Sequence, residues 1–123
     1  MTEYELVDLL NSTATVIAAN VSIYLTIVSA YLVVVYTSAK NLLSSQLFIL
    51  NLLFFTAAEF FSIGAYAASN RASFTSAELI SLGSDYPFSF PRLTGLYILV
   101  VSQLGIIMSF KFMFDTRGGM SHP

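Results

Sequence analysis

Apolar residues run along this chain in three long blocks, separated by one short and one long polar interruption. From Leu9 to Ala39 there is no Asp, Glu, Lys or Arg, and the same holds from Asn41 to Ala58 and from Leu93 to Phe110. Each of the last two runs makes about 27 Å of helix at 1.5 Å per residue, close to the roughly 30 Å thickness of a bilayer's hydrocarbon core. The pattern predicts an all-α integral membrane protein with three transmembrane helices, over about 14–36, 47–68 and 93–114, and a short interfacial helix in the second loop. Thr2-x-x-Glu5 has the form of a capping box. It sets a helix start at Glu3, with Tyr4, Val7 and Leu10 at the interface ahead of the first span. Thr37 to Asn41 is a short polar connector, so the second helix must return antiparallel beside the first, with an amphipathic lead-in from Leu42.

The longer interruption covers residues 69–92. Thr75-x-x-Glu78 matches a second capping box and is followed by Leu79, Ile80 and Leu82, then by Gly83. That combination predicts the interfacial helix, lying on the membrane surface. Beyond it, Tyr86 to Pro91 carries two prolines that bar regular helix and aromatic rings suited to the headgroup layer. After the third span, residues 115–123 read as a short loose tail, with Lys111 close enough to the end to snorkel.

Composition narrows the class further. Hydrophobic residues make up 56% and charged residues 10% of 123, against about 25% charged in soluble domains. One membrane domain accounts for the length. A net charge of −2 argues against a nucleic-acid partner. The acidic start, Glu3 and Glu5, is unlike the basic n-region of a secretory signal, so the first block is expected to stay as an anchor. Lys and Arg fall as Arg71 and Arg92 on the side of the N-terminus, and as Lys40, Lys111 and Arg117 on the other. Three against two is a small bias toward an outside N-terminus and a cytoplasmic C-terminus, in the cytoplasmic membrane of a bacterium.

Chemistry-bearing residues are sparse. There is no cysteine and only one histidine, His122. Disulfides, thiolate sites, a Ser-His-Asp set, a helix-bound haem and a histidine metal cluster are therefore excluded, and no cofactor or metal is expected. Asp85, Tyr86 and Arg92 form no recognisable enzyme site. Glu59 is the conspicuous residue, one carboxylate near the middle of the second span. A bare charge there costs roughly 2.5 kcal/mol or more, so the group must be protonated, hydrogen-bonded or facing water. Threading the spans antiparallel puts Gln103 and Tyr24 at its depth, and a neutral Glu59 hydrogen-bonded to one of them is expected. It is either a polar pin that fixes helix register or a proton- or ion-handling group.

Small residues recur on every span and permit close backbone approach in lipid. The first helix has Thr15, Ala19, Ser22, Thr26 and Ser29, with Asn20, Tyr24 and Tyr31 opposite. The second has Ala57, Gly64 and Ala68 opposite Glu59. The third has Gly95, Ser102, Gly105 and Ser109. Two helices with two faces unlike lipid-facing surface imply a second packing surface, hence a homo-oligomer or a complex with other membrane subunits in the lipid bilayer. The expected function is a non-enzymatic structural or accessory subunit. The alternative is an oligomeric pore or proton conduit lined by Glu59, Asn51, Asn20 and Gln103. Three spans with the N-terminus outside resemble the topology of one class of phage holins, although Arg117 to Pro123 lacks their strongly charged tail.

Overall fold

The computed structural model describes residues 2–83 and 91–118. Three helices follow in order: α1 over Glu3–Ser38, α2 over Ser44–Ser81 and α3 over Arg92–Arg117. All three are long and apolar enough to cross a membrane. Their outer surfaces fit that solvent: Val33, Phe48, Phe60, Ile107 and Met108 are each more than 60% exposed. A continuous apolar exterior of this kind is tolerated by lipid tails and not by water.

Local chemistry sets the helix ends. Thr2 caps α1, its hydroxyl accepting from the Glu5 amide at 3.2 Å. A single 3-10 turn, Ala39–Asn41, and two extended residues reverse the chain. At the start of α2 the Gln46 side chain accepts from the Leu43 amide at 2.9 Å. Gly83 stops α2 by taking a φ of 72°, which a side chain would resist.

No separate interfacial helix forms at Thr75. Residues 69–81 instead continue α2 without a break. Two causes are visible. No proline or glycine lies between Gly64 and Gly83, and the stretch has a partner to pack on. Ala72 and Leu79 are buried against Leu6, Leu10 and Ile17 of α1. Thr75 is itself buried at mid-helix rather than capping one. The connector thus shrinks to residues 82–91, and the aromatic motif from Tyr86 lies outside the described residues.

Helix length has a geometric consequence. At 1.5 Å per residue, α1 and α2 reach about 55 Å while α3 reaches about 39 Å. The excess lies at one end. Gly95 near the start of α3 abuts Ser69 and Asn70 of α2, so the last eight or so residues of α2, about 12 Å, run past Arg92 together with the first turns of α1. A two-helix stalk therefore tops a three-helix bundle.

Inside, α2 is central. Its Gly64 faces Asn20 of α1, while its Tyr66 and Ser69 face Gly95 of α3. Ala57 is half-buried and Ala68 fully buried. The two faces of α2 thus receive two helices of the same chain and do not call for another copy. α1 differs. Ser22, Thr26 and Ser29 are exposed, and Tyr24 and Tyr31 fill the interior.

The far end is latched. Arg117, expected in a loose tail, is the last residue of α3 and donates through Nη1 to the carbonyls of Ala39 and Leu42, both at 3.1 Å. Lys111 pairs with Asp115 one turn nearer that end. Arg117→Ala strands two turn carbonyls without their charged donor. A loss of about 1–2 kcal/mol is expected, read as a lower thermal midpoint in detergent. An unchanged midpoint would show that the latch is idle.

Candidate functional site

Two apolar clusters fill the bundle. The upper one joins Leu6, Leu10, Ile17, Ala68, Ala72 and Leu79. The lower one joins Tyr24, Tyr31, Val35, Phe54, Ala58, Ile106 and Met113. Between them, α1 contributes Asn20, α2 contributes Glu59, Ser62 and Gly64, and α3 contributes Ser102, Gln103 and Gly105. A polar layer therefore crosses the middle of an apolar bundle. In lipid each such group needs an internal partner, so the placement of each one is informative.

Tyr24 is the cross-brace. Its hydroxyl donates to the Ser102 carbonyl at 2.5 Å, joining α1 to α3. Gly105 makes this reach available. A Cβ built there would lie 2.5 Å from the Tyr24 hydroxyl oxygen. The hydroxyl thus occupies the space that any other residue at 105 would fill. Asn20 donates to the Val16 carbonyl at 2.9 Å and packs on Gly64, where a Cβ would come 2.7 Å from its Oδ1. Lower down, Tyr31 donates to Asn51 Oδ1 at 2.7 Å. Asn20 and Asn51 are therefore both engaged at the α1–α2 interface.

Glu59 does not form the expected bond. Tyr24 is within electrostatic reach of its carboxyl, but the phenol is spent on Ser102, and no hydrogen bond joins Glu59 to Gln103. Glu59 Oε1 is buried without a partner, as are Ser62 Oγ and Ser69 Oγ. The serines of α3 behave differently. Ser102 bonds back to the Ile98 carbonyl at 2.6 Å and Ser109 to the Gly105 carbonyl at 2.7 Å.

The orphan oxygens share one side. At 100° per residue, Phe55, Glu59, Ser62, Tyr66 and Ser69 fall within one arc of α2. That arc faces α3: Phe55 stacks on Phe110, and Tyr66 and Ser69 meet Gly95. Ser62 and Ser69 were not singled out from sequence as members of a site. Their spacing of three and ten residues from Glu59 was the available signal. No group of three or more His, Cys, Asp or Glu residues that could hold a metal is present among the described residues.

Comparison with protein-family models, with characterised proteins and with solved structures yields no match.

Proposed function

We propose that this chain is a non-enzymatic subunit of a membrane assembly, formed by copies of itself or with other membrane proteins through α1. One observation carries the proposal. The α1 stripe Thr15, Ala19, Ser22, Thr26 and Ser29 is exposed along its whole length, although small residues in lipid are suited to close helix approach. Thr15 and Thr26 bond back to the carbonyls of Asn11 and Ser22, at 3.1 and 2.9 Å, so neither hydroxyl must be desolvated unpaired when the face is covered. Lower on the same helix, a shallow concavity of about 590 Å³ runs along Leu25, Thr26, Ser29, Ala30, Val33 and Val34, shaped to take the ridge of another helix. The Lys and Arg bias favours an N-terminus outside and a C-terminus in the cytoplasm.

Native mass measurement and crosslinking in mild detergent test the proposal. The wild type is expected as a defined oligomer or with a co-purifying partner. A Ser22→Leu, Ser29→Leu double variant is expected to dissociate with its own thermal midpoint preserved, because both positions are exposed in the single chain. A wild type that is monomeric with nothing attached would end the proposal.

A further inference from the structure

We propose that Glu59 is a proton-binding site reached by water from the Arg92 end of the bundle only, along the seam between α2 and α3. It is a property of a single chain and does not rest on association through α1.

The seam is defined by oxygens that no protein group satisfies. Glu59 Oε1, Ser62 Oγ and Ser69 Oγ are all buried without a hydrogen-bond partner, and the two serines are each only 1% exposed. An orphan of this kind destabilises the fold unless something meets it. A back-bond to the helix carbonyl is what α3 uses at Ser102 and Ser109, yet neither Ser62 nor Ser69 makes one. Water is the partner that fits such groups, since buried polar atoms that lack protein partners are where internal water settles.

The two ends of the seam differ. Above Glu59, beyond Ser62 and beside Ser69, a cavity of about 230 Å³ is lined by Tyr66, Asn70, Arg92, Leu93 and Leu96. The distance along α2 from Glu59 to Asn70 is about 16 Å. Downward the seam meets a wall of rings. Phe55 stacks on Phe110 with centroids 6.3 Å apart, Phe110 sits edge-on to Phe54 at 5.5 Å, and Phe54 stacks on Tyr31 at 3.9 Å. Met113 and Val35 complete the seal with no exposure at all. Access is thus one-sided.

The chemistry selects the proton. One carboxyl and two hydroxyls cannot replace the hydration shell of a metal cation, and the Arg92 guanidinium at the mouth repels one. A carboxylic acid needs only water beside it: its O–H bond breaks, the proton passes to water as hydronium, and the carboxylate remains. The titratable group facing Glu59 from α1 is Tyr24. α3 offers none between Arg92 and Lys111 apart from Tyr97, and α2 offers none between Ser44 and Asn70 apart from Tyr66.

The chain has no cysteine, so single-cysteine variants report cleanly. In liposomes, Ala77→Cys and Lys40→Cys mark the Arg92 end and the opposite end for a membrane-impermeant methanethiosulfonate. Ser62→Cys and Ser69→Cys are expected to react from the Arg92 side about tenfold or more faster than Ser109→Cys, which is equally buried but below Glu59, because a thiol ionises and reacts only where water reaches it. Equal rates at the three positions, no reaction at 62 and 69, or reaction there from the Lys40 side would overturn the proposal. Infrared difference spectra of the unaltered protein supply a measurement independent of any substitution's effect on folding. A neutral-carboxyl band is expected to rise and fall with pH on the Arg92 side alone and to be missing in Glu59→Gln. A band that follows the opposite side, or no band that Glu59→Gln removes, would equally overturn it.

Discussion

Gly105→Leu is expected to abolish the folded bundle. Even a methyl at 105 would lie 2.5 Å from the Tyr24 hydroxyl, with the ring carbon Cζ only 3.6 Å away. Tyr24 is 7% exposed and held between three helices, so its ring has nowhere to go. Overpacking alone costs about 1–3 kcal/mol, and expelling the hydroxyl from the Ser102 carbonyl adds about 1 kcal/mol. A leucine brings three further carbons into the same space. Circular dichroism melts in detergent should show no cooperative transition for Gly105→Leu. The collision has a specific cure. Tyr24→Phe deletes the oxygen that clashes and leaves Cζ at ordinary contact distance. Gly105→Ala is then expected to cost about 1–2 kcal/mol less in a Tyr24→Phe background than alone. Strict additivity of the two changes would refute the claim that the hydroxyl and the missing side chain share one space.

The three spans could be read from charge-free runs because lipid forbids both charges and unpaired backbone, and each prohibition leaves a mark in the sequence. The end of α2 could not be read in the same way. A Thr-x-x-Glu motif signals a helix start only when the preceding turn is not already helical, and the burial of Ala72 and Leu79 on Leu6 and Leu10 decided that point. Such packing joins residues some seventy positions apart, which local motifs do not record. Antiparallel threading put Gln103 and Tyr24 at the depth of Glu59, and the structure brings Tyr24 within electrostatic reach of the Glu59 carboxyl. The bond expected between them does not form: the Tyr24 hydroxyl is turned to the Ser102 carbonyl of α3, in the space that Gly105 leaves, and Glu59 Oε1 has no hydrogen-bond partner. The double-faced character of α2 was visible in its sequence. Its explanation was not, because periodicity shows that a helix has two covered faces and is silent on which helices cover them.

Phe54→Ala is expected to bring the second large loss, about 3–5 kcal/mol. Phe54 is 4% exposed, stacks on Tyr31 with an interplanar angle of 13° and sits edge-on to Phe110 at 84°. It therefore fills the point where all three helices meet. The origin of the cost differs from that in a water-soluble core. Lipid tails are as apolar as the ring, so no transfer from water is forfeited. The loss is of dispersion contacts around a cavity that stiff neighbours cannot close. Two contrasts follow. Phe54→Leu, which keeps most of the volume, should cost about 1 kcal/mol. Phe60→Ala, at a position 69% exposed to lipid, should cost close to nothing. Unfolding free energies in bicelles discriminate among these. Similar losses at 54 and 60 would mean that ring burial against lipid, and not packing between helices, stabilises the bundle. A small loss at 54 would also weaken the aromatic wall under Glu59, since rings that can be removed without cost are not tightly enough held to keep water out.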